Sequence, residues 1–346
     1  MADGIPEQAH AELVAAYGSL QQRAVVQTAA AVARLWRLLD GSDLSRSWLA
    51  GVGAALLRAV TAGQILAVTP ADAYVRALMA ADGLAEPDLV AGRINPRAWG
   101  GWAADGRPLD SLLYQPVIRT KTLIRGGMTL QESMTAGLLD LQRIAVSEVA
   151  DAGRSGLGAA MAADRRVVGY VRVVRPGACA RCAILAGRWY RWNADFKRHK
   201  RCQCYGVPAS EERRGRMVNP QRFFEGLSRA EQNRRFTAAG AQAIRDGADI
   251  FAVVNARRGI YRVEAYGRQV SATHEGATRR STFYRQMLRE TEARTGQRFG
   301  TSRADIEQGL PIFRLRTPRL LPEEIYRIAD GRADVIRLLR RFAYLT

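Results

Sequence analysis

All four cysteines of this 346-residue chain fall within 26 residues, and that clustering constrains the fold more than any other feature. They stand as Cys179-Ala180-Arg181-Cys182 and Cys202-Gln203-Cys204, with His199, one of three histidines, between the pairs. A Cys-x-x-Cys pair puts two thiolates on one tight turn, which suits one face of a tetrahedral ion. A returning His-x-x-Cys-x-Cys segment supplies the remaining corners. Gly187-Arg188-Trp189-Tyr190 lies between the two groups and reads as a turn and a short strand, one arm of a small β-ribbon.

The cluster offers five candidate metal ligands, Cys179, Cys182, His199, Cys202 and Cys204, for four positions. Residues two apart on a strand face the same side, so either Cys202 or Cys204 binds while the other packs. Three readings are open: one structural zinc, a disulfide or redox pair, and reduced cysteines that simply pack. The Cys-x-x-Cys is not followed by a long helix in the manner of thioredoxin, which weighs against redox chemistry. A zinc there would stabilise a subdomain too small for its own core, by apparent free energies of about 10–16 kcal/mol in isolated peptides.

Charge points to the same part of the chain. Net charge is +19 and the pI is near 10.7. Residues 1–171 carry 16 basic and 16 acidic side chains, residues 172–235 carry 16 and 5, and residues 236–346 carry 20 and 12. The positive field therefore begins at the cysteine cluster, which favours a phosphate-bearing or acidic partner there. Only Lys121, Lys197 and Lys200 are lysines among 52 basic residues. Such an arginine bias follows from a GC-rich genome, and it is also compatible with bidentate phosphate contacts. The start, Met1-Ala2-Asp3-Gly4, has no secretory character, and no run of 18 consecutive apolar residues occurs, so neither export nor a membrane span is expected. Paired thiols without a signal fit a reducing cytoplasm.

The first half reads as helices. Leu13, Tyr17, Leu20, Val25, Ala29, Val32, Leu35 and Leu39 recur at three- to five-residue steps from Gln8 to Asp40, where Gly41 ends the helix. Ser42 and Asp43 cap a second helix, and Thr69-Pro70 starts a third, with proline at its first position. A Gly-, Pro- and Trp-rich span from Asp82 to Pro108 is irregular, and helix resumes over Leu109–Arg125. Thr129-Leu130-Gln131-Glu132 is a capping box opening a long helix. The tryptophans of this half are expected in cores and interfaces. Val167–Val174 changes to a strand pattern and delivers the chain into the cysteine turn, and Tyr205–Pro208 closes the ribbon. Glu211–Arg216 is a charged linker.

The last third mixes elements. Ser228–Glu231 caps a helix to about Arg245, Asp246-Gly247 turns, and Ala248–Arg257 is a second helix. That outline matches a helix-turn-helix, but Phe251, Val253 and Val254 stand where base-reading polar residues belong. Tyr261–Ala272 reads as a hairpin turning at Gly267, Arg279–Thr295 as a basic helix, and the tail from Leu321 as two short helices. The predicted class is mainly α with a small β part. The expected domains are an all-α domain over 1–163, a zinc-stapled β-ribbon over 164–215 and a basic α+β domain over 216–346.

No catalytic pattern stands out. A glycine-rich phosphate loop, a zincin helix and Gly-x-Ser-x-Gly are all missing from the sequence. His10 lies in a polar stretch, His199 belongs to the cluster, and His274 sits in a turn, so none is an evident base for a nucleophile.

Three stretches carry a resemblance. Arg175-Pro176-Gly177-Ala178-Cys179-Ala180-Arg181-Cys182, Ala186-Gly187-Arg188-Trp189-Tyr190, and His199 through Cys204 together resemble the signature of the phage Mu F-like minor head proteins. Phe196-Lys197-Arg198 stand where many relatives have prolines. The likeness covers residues 172–208, and Val253–Gly259 and Leu321–Tyr326 look similar to the version found in phages of actinobacteria. It implies a non-enzymatic minor capsid protein of a tailed phage, inside the head in the virion and in the host cytoplasm during assembly. Its partners would be the portal protein, the major capsid protein and packaged double-stranded DNA, bound without sequence preference, and no membrane. Candidate phosphate contacts are Lys197, Arg198, Lys200, Arg201, Arg257, Arg258, Arg279 and Arg280. The rival expectations are a capsid maturation protease and a stand-alone nonspecific DNA-binding protein.

Overall fold

The computed structural model describes residues 7–86, 92–174, 179–196, 198, 199, 202, 204–211 and 220–345. It is mainly helical with two small antiparallel sheets, as the sequence pattern predicts. The chain divides into two units, Met1–Ala178 with Ala186–Val218, and Cys179–Leu185 with Asn219–Thr346.

In the first unit, α1 (Glu7–Trp36) buries Tyr17, Val25 and Val32 from its expected stripe. The Asp43 carboxylate accepts from the Arg46 N–H at 3.0 Å and opens α2 (Leu44–Ser47). A π-helical turn at Trp48–Val52 leads into α3 (Gly53–Val68), and Gly51 holds φ +131° there, where an L side chain would be strained. Pro70 caps α4 (Ala71–Ala81) instead of occupying its first helical position. Taken together, Leu44–Ala81 is long and apolar enough to cross a bilayer by length and composition. Its Leu56, Val60, Ala67, Val68 and Leu78 are buried.

The helix predicted over 109–125 is two, α5 (Leu109–Leu113) and α6 (Gln115–Arg125). Pro116 explains the break, since it lacks an N–H and disfavours helical geometry at the residue before it. The Thr129 capping box forms as read: Thr129 Oγ1 accepts from the Glu132 N–H, and the Glu132 carboxylate accepts from the Thr129 N–H, both at 3.3 Å. It opens α7 (Leu130–Ala163), against which α1, α3, α4 and α6 all pack. Glycines permit that approach. A Cβ at Gly156 would stand 2.6 Å from the Val68 side chain, and one at Gly153 2.3 Å from the Gln21 amide oxygen.

The first sheet has β1 (Gly169–Val173) at its centre, flanked by β2 (Trp189–Arg191) and β3 (Tyr205–Ala209), both antiparallel to it. Every residue of β3 is buried. The Tyr205 hydroxyl donates to the Val14 carbonyl at 3.0 Å, which ties the strand to α1.

The second unit begins with α8 (Ala180–Ala183), α9 (Pro220–Glu225) and α10 (Arg229–Phe236). The helix predicted from Ser228 to Arg245 breaks at Thr237, whose φ is +66° and whose Oγ1 accepts from the Gly240 N–H to cap α11 (Ala238–Arg245). Next comes α12 (Ile250–Asn255), which buries Ile250, Val253 and Val254 in the core and leaves Phe251 exposed. The hairpin β4 (Ile260–Ala265) and β5 (Arg268–Thr273) turns through Tyr266 and Gly267, both at positive φ. Ser281 caps α13 (Thr282–Thr295), which leaves Arg279 and Arg280 in the preceding turn instead of on the predicted helix. The short α14 (Arg303–Glu307) and strand β6 (Arg319–Leu320), which joins β5, are unforeseen. The two tail helices, α15 (Pro322–Ile328) and α16 (Arg332–Arg341), bury Ile325, Val335, Leu338 and Leu339 as expected. The charged linker lies almost wholly outside the described residues.

Candidate metal centre

Each half of the Cys/His set is built by a local turn. Cys179 is the N-cap of α8, and its carbonyl accepts from the N–H groups of Cys182 and Ala183, both at 3.0 Å. Ala183 and Ile184 are buried in the second unit's core, which anchors the turn from below. In the other half the Cys202 N–H donates to the His199 carbonyl at 3.1 Å, and Cys204 leads directly into β3. Cys182, Cys202 and Cys204 are buried and Cys179 is exposed.

The ligand atoms of Cys179, Cys182 and His199 lie within 4.8 Å of one another, and so do those of Cys182, Cys202 and Cys204. All five predicted ligands are thus brought into two overlapping groups that share Cys182. Thiolates and an imidazole at this spacing are a donor set that can hold a metal ion.

Three further residues support this site, and none is evident from sequence motifs. Arg172 is 1% exposed; its Nη2 donates to the Cys202 sulfur at 3.7 Å and its guanidinium lies 4.3 Å over the Phe196 ring. A buried guanidinium beside sulfur favours negative charge there. Arg154 of α7 donates through Nη1 to the carbonyls of Cys202 at 2.9 Å and Cys204 at 3.0 Å. Its other nitrogen pairs with Asp151, whose second oxygen pairs with Arg198. Burial pushes the Asp151 carboxyl up from its usual range, against the pull of both guanidiniums. The helix therefore grips the backbone of the second ligand arm. The available signal was an Asp and an Arg three apart inside an Ala- and Gly-rich stretch of α7, on one helix face.

The proposed phosphate contacts fare unevenly. Lys197, Lys200 and Arg201 lie outside the described residues. Arg198 is engaged by the buried Asp151, Arg257 by Glu323, and Arg258 by Glu275 at 3.5 Å. Arg279 and Arg280 are exposed and have no acidic partner among the described residues. The other two histidines stand apart from the cluster. His274 stacks on Tyr261 with ring centroids 4.1 Å apart, and His10 approaches Asp82 at 4.0 Å.

A family model described as VG15 protein matches residues 8–230 of the chain, a span that contains the whole Cys/His set. No curated protein and no solved structure matches it.

Proposed function

Because the chain belongs to the VG15 protein family, a phage-associated family, we propose that it is a structural minor head protein of a tailed bacteriophage, similar to the Mu F-like group. The observation that carries this reading is the family match over residues 8–230, which encloses the stretch resembling the Mu F-like signature. In this reading the cluster binds one zinc, since thiolate and imidazole donors in a mostly buried site favour a closed structural zinc. The metal holds the cysteine turns in place and performs no reaction. The helical unit docks on the portal or the inner shell. The arginine-rich chain from residue 172 onward faces packaged double-stranded DNA and contacts phosphate without reading sequence.

Purified virions test the reading directly. The protein should co-purify with DNA-filled heads and resist surface protease until the heads are opened. A chain found only in infected-cell lysate, never in heads, would refute it. Loss of cleaved head proteins in a His274→Ala phage would replace it with the maturation protease.

A further inference from the structure

The first unit contains a cleft of about 620 Å³ along α7, between the 98–106 segment and the 192–198 segment. Its size falls in the range of small-molecule sites. Three tryptophans line it, and two are largely in solvent, Trp102 at 54% and Trp192 at 46%. Of the tryptophans in the first half, Trp36 is buried in the core as expected, whereas Trp102 stands half exposed. The two exposed rings contribute little to folding, yet the chain around each is braced.

Polar side chains supply the bracing. Gln64, 1% exposed, donates to the Trp102 carbonyl at 2.8 Å and accepts from the Gly101 N–H at 3.0 Å. Trp99 is fixed by its Nε1 donating to the Ser155 hydroxyl at 2.9 Å. The Tyr170 hydroxyl donates to the Ala194 carbonyl and holds the turn that bears Trp192. Glu148, 9% exposed, accepts from the Ala104 N–H at 2.7 Å through one oxygen, and its other oxygen has no partner among the described residues. Burial pushes the Glu148 carboxyl up. A preorganised aromatic surface beside a carboxylate oxygen that has no partner among the described residues is the form of a binding site.

The fixed charges indicate what it binds. Among the lining residues, Glu148, Asp151 and Asp195 stand against Arg154 and Arg198 within the same cleft. An anionic ligand would meet the three carboxylates, and a cationic one the two guanidiniums. A neutral ligand with apolar faces and hydroxyl groups suits both the indoles and the polar floor. A second recess of about 450 Å³ continues past Ala104, Glu148, Asp151 and Arg198, so the groove has room for more than one ring.

We propose that this groove binds a neutral saccharide chain, its sugar rings stacked on Trp102 and Trp192 and a hydroxyl donating to Glu148. This site is separate from the head reading and does not depend on it.

Calorimetric titration of the full-length protein tests it with four probes: N-acetylglucosamine, its neutral β-1,4 hexamer, the deacetylated cationic hexamer and an anionic galacturonate oligomer. The neutral hexamer should bind most tightly, and raising salt should not weaken it. Trp102→Ala and Trp192→Ala should each weaken it about tenfold at unchanged melting temperature. Glu148→Gln should weaken it about threefold. No heat from the neutral hexamer at about 10 mM would overturn the proposal. So would a preference for either charged oligomer, affinity for the single sugar equal to that for the hexamer, or binding untouched by both tryptophan changes. Capture of a peptide segment in the groove, blocked by Trp102→Ala while the sugars stay silent, would likewise overturn it in favour of a protein partner.

Discussion

In the first unit Arg154, Arg166 and Arg172 lie against Asp151, Asp164 and the Cys202 sulfur, largely out of water. In the second unit Arg279, Arg280, Arg303 and Arg337 stand in solvent. Arg319 is buried there too, but carbonyls of Glu275, Phe342 and Ala343 hold it in place of a carboxylate. The same side chain thus does two jobs. Inside, it fixes backbone positions by charge-assisted hydrogen bonds, at a large desolvation cost that only a complete partner set offsets. Outside, it makes surface pairs that add little to the fold, as Arg303 does with Glu307 and Arg337 with Asp334, or has no acidic partner among the described residues, as with Arg279 and Arg280.

The largest expected effect lies where the buried arginines converge. The purified protein should hold about one zinc per chain by elemental analysis, and chelation should open residues 179–211 to protease. Cys182 belongs to both ligand groups, so Cys182→Ser should lose more metal than Cys179→Ser or Cys204→Ser. Metal-free protein with full protease resistance would remove the site from the comparison.

Next in size is the buried ion network itself. Arg154→Met leaves the buried Asp151 with Arg198 alone and removes a donor from the Cys202 and Cys204 carbonyls, and should cost about 3 kcal/mol in urea unfolding. Arg337→Met breaks an exposed pair with Asp334 and should cost about 1 kcal/mol or less. Equal losses would erase the distinction between the two kinds of arginine.

Exposed arginines should instead show in binding. The intact chain should bind random duplex DNA at low salt, and Arg279→Glu with Arg280→Glu should reduce the log–log salt slope by about 2 without altering the melting temperature. A wild-type slope in that variant would assign the phosphate contacts elsewhere.

The smallest effect is in acid, where two groups should respond with opposite sign. The Glu148 carboxyl is raised by burial, so its contribution is fully present below its unfolded value of about 4.5 and is lost as pH rises through its higher folded value. Asp305 is held down to about 2 by the N–H groups of Thr301 and Ser302. Its contribution is present above about 3.8 and is lost as pH falls toward 2. Hydrogen exchange between pH 5 and pH 2 should therefore show α14 loosening in acid while the helix turn around Glu148 does not. Parallel loosening would contradict the assignment.

Local chemistry made much of this legible in the chain. The Thr129–Glu132 box, the Gly267 turn, the β-branched and aromatic run of β1 and the clustering of five candidate ligands each depend on residues close in sequence. Other features depended on neighbours far along the chain. Thr237 breaks an otherwise helical run in a conformation that propensity disfavours, and its hydroxyl also donates to the distant Glu323. Arg154 reaches carbonyls 48 and 50 residues away, and Gln64 reaches the Trp102 carbonyl 38 residues away. The sequence by itself determined the helical class, the clustering of the candidate ligands and the uneven charge. Only the tertiary structure decided which arginines are buried and which tryptophans face a cleft, because burial is a property of packed elements and no residue carries it alone.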